Sequence, residues 1–273
     1  MISKRKRKNI LIKFSIILVL VAIAVTFLEM TLRKEPLEVE VNQPELLLEV
    51  KSKTSRPSQI LDKKGFKISY NEKLKIPNWV AWKLTAEMTQ GTLKRSNNFA
   101  PDPDAPASSQ PTDYKNSGYD RGHMAPSGDM KWNPEAMTQC FYMTNIAPQK
   151  QVLNGGPWNK LEERCRTWAC RYKTIYIICG PVPTDRPVEY IGQSKVAVPK
   201  RFFKVILAPD TKYGPMGIGF VMNNGQNKDG MRHTALSIDE VEAITGYDFF
   251  SALPDSVENE VEKMNNLLLW DSK

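Results

Sequence analysis

The sequence predicts an α+β fold: a central, mainly antiparallel sheet flanked by helices and preceded by one N-terminal transmembrane helix. Three observations point there. Short apolar or alternating runs bounded by turn residues recur along the chain, as buried strands would. One longer segment carries a helical apolar stripe, and a long apolar run stands near the N-terminus behind a basic cluster. A chain of 273 residues is ample for a sizeable core.

Residues 1–9 contain the run KRKRK and read as a basic cytoplasmic tail. Residues 10–28 are apolar, broken by a single charge, Lys13, which lies near enough to the charged end to snorkel. At about 1.5 Å of rise per residue this stretch spans roughly 28 Å, close to the thickness of a bilayer core. The positive-inside rule makes the chain a single-pass membrane protein whose domain is extracytoplasmic, periplasmic or at the cell surface. Ala22-Ile23-Ala24 also resembles a signal-peptide cleavage site, which would make the protein secreted. Continuation of the apolar run to Leu28 favours an uncleaved anchor. An organelle-targeting leader fits less well, because such leaders are amphipathic. Residues 29–57, rich in acids and prolines, read as a stalk, although LEVEV (Leu37–Val41) could form a strand.

The formal charge of +8 belongs almost wholly to the leader: residues 1–34 hold eight Lys/Arg and one acid. The other 239 residues are close to neutral, with 30 basic and 29 acidic side chains. A domain that binds polyanions through bulk charge is therefore excluded, and any such contact must come from particular residues.

Residues 58–273 read as one domain without internal repeats. Lys67–Thr85 alternates like a hairpin, and Phe99–Gly118, rich in Pro, Asp, Ser and Asn, reads as a long loop. Dense apolar runs at Cys140–Gln149, Thr174–Val182, Arg201–Pro209 and Met216–Asn224 read as strands. Between them Trp158, Leu161, Cys165, Trp168 and Tyr172 recur at helical steps, with Pro157 suited to a first helical position. Ser237 with Glu240 forms a capping box that opens a short helix ending at Gly246. Cys165 and Cys170 point apart on the helix, Cys140 and Cys179 fit as buried thiols, and no disulfide connectivity is readable. CxxC and HExxH spacings are absent, so a structural zinc site has no support.

The run YDRGHMAPSGDM (Tyr119–Met130) holds one of only two histidines. His123 suits a general base near neutral pH, and Gly122 lets the backbone turn tightly beside it. Asp120 and Arg121 flank it. Asn154 stands ahead of the striped helix, and Glu162 and Arg166 lie one turn apart on it. Each has a plainer reading: a structural histidine, a helix-capping asparagine, a surface ion pair worth under about 1 kcal/mol. Together they are what metal-assisted phosphodiester hydrolysis requires: a base, oxygen ligands for a hard cation, and arginine forks for phosphate. His233 takes no functional role.

DRGHMAPSGDM resembles the signature of the DNA/RNA non-specific endonucleases, the ββα-metal or His-Me finger nucleases, which include secreted bacterial nucleases and mitochondrial endonuclease G. TNIAPQKQVLNGGPWNKLEE (Thr144–Glu163), YIICGPV, VPKRFFKVIL and TGYDFFSALPD are similar to the family's later blocks, so the likeness spans roughly residues 65–262. The resemblance implies that His123 activates water, Asn154 ligates a divalent metal directly, and Glu162 and Asp120 hold it through water. It also implies phosphate contacts for Arg121, Arg166 and Arg95, and an orienting role for Asn145. Mg²⁺, replaceable by Mn²⁺, would be the cofactor and DNA and RNA the substrates, cleaved with little sequence preference. The membrane leader, the cysteines and the nearly neutral domain depart from the secreted members. A catalytically inactive, membrane-tethered module for nucleic-acid binding or uptake is the rival reading, and a phosphodiesterase for small substrates is a second. Oligomeric state stays open, with a homodimer among the assemblies allowed.

Overall fold

The alternation in Lys67–Thr85 produces the hairpin on which the sheet is built. In the computed structural model, which describes residues 44–271 apart from Asp185, Val188 and Asp229, thirteen strands are seen. They are β1 (Val50–Ser52), β2 (Gln59–Asp62), β3 (Lys67–Asn71), β4 (Ile76–Thr85), β5 (Asp120–His123), β6 (Ile146–Gln149) and β7 (Thr174–Pro181). Then follow β8 (Tyr190–Ile191), β9 (Val196–Ala197), β10 (Arg201–Ala208), β11 (Met216–Asn223), β12 (Ala235–Leu236) and β13 (Tyr247–Phe249). The tail, the apolar run at 10–28 and the stalk up to residue 43 lie outside the described residues. Among the described residues no helix is long and apolar enough to cross a membrane.

Seven strands form the central sheet in the order β12-β11-β10-β7-β4-β3-β2, with every neighbouring pair antiparallel. Its two faces bury different sets of side chains, because strand residues alternate in direction. In β10, Phe202 and Ile206 join the core that holds Trp82, Trp158 and Trp168. Phe203, Val205 and Leu207 join the opposite core, with Tyr247, Phe249 and Val257. Each such large apolar side chain contributes about 1.5–3 kcal/mol by leaving water.

The striped helix covers the first face. It runs over Asn159–Tyr172 and buries Leu161, Cys165, Trp168 and Tyr172, as its spacing requires. Its approach contains a break. The chain turns helically from Gln151, widens into a π-type turn over Asn154–Trp158 and breaks at Gly156 (φ −110, ψ −119). Pro157 directly follows that break, so it stands at the first position of the second helical stretch, where its missing N–H costs no bond. The Ser237 capping box forms as expected: Glu240 N–H donates to Ser237 Oγ (3.1 Å) and Ser237 N–H to Glu240 Oε2 (2.7 Å). The four cysteines are free thiols, with only Cys170 exposed.

Two expectations are corrected. Cys140–Gln149 is not a continuous strand; Met143–Asn145 makes a 3₁₀ turn and only β6 is extended. Its apolar density reflects burial, which period-free runs cannot assign to one conformation. The stalk also ends earlier than residue 57. Pro44–Leu48 forms a 3₁₀ turn with Leu47 fully buried, and β1 pairs with β13. The sequence partner of β1 lies almost two hundred residues away, so local composition could not reveal it.

Candidate active site

β5 and β6 form an antiparallel ribbon in which His123 faces Ile146 and Asp120 faces Gln149. Followed by the helix Asn159–Tyr172, this ribbon makes a ββα unit. Gly122 is needed for close approach: a Cβ there would fall 2.1 Å from Gln149 Oε1. Beyond β5 the chain is held by Asn145, whose side chain is wholly buried. Its Oδ1 accepts from Ala125 N–H (2.9 Å), and its Nδ2 donates to the carbonyls of Ala125 (2.9 Å) and Cys140 (2.8 Å). Asn145 thus has no group left to touch a substrate. It holds the loop that follows His123.

His123 is only 7% exposed. Its ring meets Phe141 edge-on at 4.9 Å and Phe99 at 5.3 Å. Nε2 is buried without a hydrogen-bond partner, which leaves Nδ1 as the nitrogen available to the cleft. Burial lowers its pKa to about 3, with help from Arg95 and Arg121. The imidazole is accordingly neutral at ordinary pH, with the lone pair of one ring nitrogen unprotonated.

An open cleft of about 420 Å³ brings together Arg95, Arg121, His123, Asn154, Glu162 and Arg166. Asp120 stands behind it and accepts a hydrogen bond from Asn154 Nδ2 at 3.0 Å. That bond commits the amide nitrogen and leaves Asn154 Oδ1 as the atom to offer. Asn154 does not N-cap the striped helix; it closes the short turn Gln151–Leu153. Burial pushes Glu162 up to about 7, offset in part by the Lys204, Arg166 and Arg95 charges. An amide oxygen with two carboxylates nearby is a hard-oxygen donor set, which suits Mg²⁺ or a similar cation. Arg121 lies over the Phe99 ring at 4.2 Å, while Arg95 donates to Ser127 Oγ (2.6 Å) and Asn97 Oδ1 (2.7 Å). Arg166 donates to Asp129 Oδ1 at 2.9 Å.

A family model described as DNA/RNA non-specific endonuclease matches residues 43–256. The chain belongs to that family. A nuclease from Nostoc sp. is 33% identical over 229 residues, covering 79% of this chain and 82% of the relative. Nuclease C1 of Cunninghamella echinulata is 35% identical, covering 71% of this chain and 83% of the relative. Human mitochondrial nuclease EXOG is 33% identical and covers 68% of this chain, which spans 55% of that longer protein. The solved structure titled "Crystal structure of the EndoG/EndoGI complex: Mechanism of EndoG inhibition" aligns with a TM-score of 0.65 and 31% identity. It covers 74% of this chain and 90% of its own, and it shares the α+β fold with the central antiparallel sheet.

The nuclease domain also uses residues that the sequence reading passed over. Asp129 is buried and accepts from both Arg166 and Trp82 Nε1 (3.1 Å), so it fixes the arginine against the core. Ser127 steadies Arg95. Both lie in the quoted SGDM run, where proximity to His123 was a usable signal. Lys204 is fully buried in β10, its Nζ without a hydrogen-bond partner, 4.5 Å from the Trp158 ring and 5.1 Å from that of Trp82. Its charge lies near Glu162 and holds that carboxyl down. The signal was a lysine at an inward position of an apolar strand.

Proposed function

We propose that the domain is a divalent-metal-dependent endonuclease that hydrolyses phosphodiester bonds of DNA and RNA with little sequence preference. Mg²⁺ would be the usual cation, and Mn²⁺ could replace it. The observation that carries the reading is the convergence of a neutral His123, an amide oxygen of Asn154 and three arginines on one cleft. Asn154 would hold the metal directly, with Asp120 and Glu162 acting through water. When bound, the cation would neutralise charge on the phosphoryl and leaving oxygens.

His123 takes a proton from a water whose oxygen attacks phosphorus. The bond to the 3′ oxygen breaks, that oxygen takes up a proton from water to become a 3′-hydroxyl, and a 5′-phosphate is left. Arg121, Arg95 and Arg166 hold the phosphate oxygens and oppose the added charge. Because these contacts read backbone rather than base edges, they carry no sequence information. The leader supports an extracytoplasmic, membrane-tethered placement of this activity. An inactive nucleic-acid-binding module is not favoured, since binding alone has no use for a neutral histidine boxed between two phenylalanines beside a carboxylate-held amide.

Plasmid nicking by the full chain tests the reading. Cleavage is expected with Mg²⁺ and not with chelator, and His123→Ala is expected to lower it by at least about 100-fold with the fold intact. Near-normal turnover in His123→Ala would defeat the mechanism. Cleavage of a chromogenic diester with plasmid spared would instead indicate a small-substrate phosphodiesterase.

A further inference from the structure

The face of the sheet turned away from the cleft is covered by the helices Ile238–Thr245 and Asp255–Val261, through Ile238, Val241, Val257 and Val261. Gly217 of β11 admits them closely: a Cβ there would lie 2.7 Å from the carbonyl oxygen of Val261. Where the two helices meet, Asp239 N–H donates to the Glu262 carbonyl at 3.0 Å. That bond gathers three carboxylates. One oxygen from each of Asp239, Glu242 and Glu262 lies within 4.8 Å of the others. Asp239 and Glu242, three residues apart, share a helix face, while Glu262 arrives from the end of the second helix.

Acidic clusters on surfaces are ordinary, and what separates this one is Glu262. It is 8% exposed, and its Oε1 is buried without a hydrogen-bond partner. Glu242 is partly satisfied, since Oε1 accepts from Phe249 N–H at 2.7 Å, which leaves its second oxygen. Asp248 of β13 and Glu258 of the second helix add like charge, against which Lys53 acts on Glu242 and Lys51 on Glu258. Burial, reinforced by this crowding, pushes Glu262 up to about 8 and Glu242 up to about 7. A buried carboxylate oxygen with no donor is unfavourable, so either a proton or a cation must meet it.

We propose that Asp239, Glu242 and Glu262 bind a divalent cation of the calcium type, a structural site separate from the catalytic cleft. Oxygens each about 2.4 Å from one calcium ion stand at most about 4.8 Å apart, so the three fit a single ion with water completing the shell. Ca²⁺ tolerates such an irregular, partly hydrated arrangement, whereas Mg²⁺ demands near-ideal octahedral geometry and sheds water reluctantly. The ion would tie the two helices to each other and to the edge formed by β1 and β13.

Thermal melting of the full chain at pH 8, in chelator and in millimolar Ca²⁺, tests this. A Ca²⁺-dependent rise of several degrees is expected in the parent and equally in Asn154→Ala, which disables the candidate metal ligand of the cleft. Glu262→Gln is expected to abolish the rise while melting, in chelator, at or above the parent, because repulsion is relieved. Asp239→Asn is expected to weaken it. A rise lost in Asn154→Ala would place the calcium in the cleft and overturn the proposal. So would no rise in the parent, or an equal rise in Glu262→Gln. If stability in chelator instead falls as pH climbs through 7 to 8 and Ca²⁺ restores nothing at pH 8, a shared proton rather than a cation meets Glu262.

Discussion

Asn154 gives its amide nitrogen to Asp120 at 3.0 Å, across 34 residues of chain and between two different elements. The bond decides which end of the asparagine side chain can meet a cation. Asp120→Ala removes that control without touching His123. The metal concentration for half-maximal cleavage is expected to rise 10- to 100-fold, with circular dichroism unchanged. An unaltered metal requirement would show that Asp120 does not orient Asn154.

Asn145 is a bracket for the backbone rather than a participant in chemistry. Asn145→Ala strips partners from Ala125 N–H and from two buried carbonyls. Unfolding in urea is expected to show a loss of at least about 2 kcal/mol, since each orphaned buried group costs about 1–3 kcal/mol. A stability change near zero would mean that the loop finds other partners.

Arg166 has a structural connection to Asp129 and a proposed one to phosphate, and the two can be separated. Arg166→Ala leaves Asp129 buried without its charged partner, so stability is expected to fall by about 2 kcal/mol along with cleavage. Adding Asp129→Asn should restore most of the stability and none of the cleavage. Recovery of cleavage in the double variant would show that Arg166 serves only to satisfy Asp129.

The pH dependence should come from Glu162 and not from His123. Burial lowers His123 to about 3, so its neutral form persists through pH 5–7 and imposes no acid limb near 6.5. Burial raises Glu162 to about 7, so below that pH a proton competes with the cation for the carboxylate. Nicking at fixed Mg²⁺ is expected to decline as pH falls from 7.5 to 5.5 and to be largely recovered by raising Mg²⁺. A limb at 6.5 that extra metal does not move would assign it to the histidine.

Much of the architecture was legible because it is local. The β3–β4 hairpin, β7, β10 and β11, the stripe from Trp158 to Tyr172 and the Ser237 capping box all follow from side-chain period or from bonds within a few residues. Five of the site residues named from the DRGH run and the helix with its approach, together with Arg95 upstream, do line one cleft. Where the reading failed, the deciding contact was distant. The segment before residue 57 looked like a stalk because β13, which pairs with β1, is far along the chain.

By itself, then, the sequence determined most of the strands, the striped helix and which side chains stand as candidates for the site, since periodicity and residue chemistry are properties of short stretches. Only the tertiary structure decided that Asp120 holds Asn154, that Asp129 holds Arg166, that Asn145 is spent on backbone, and that Glu262 meets Asp239 and Glu242. The reason is physical: hydrogen bonding and desolvation depend on separation in space, and folding brings to within 3 Å groups that the chain keeps tens of residues apart.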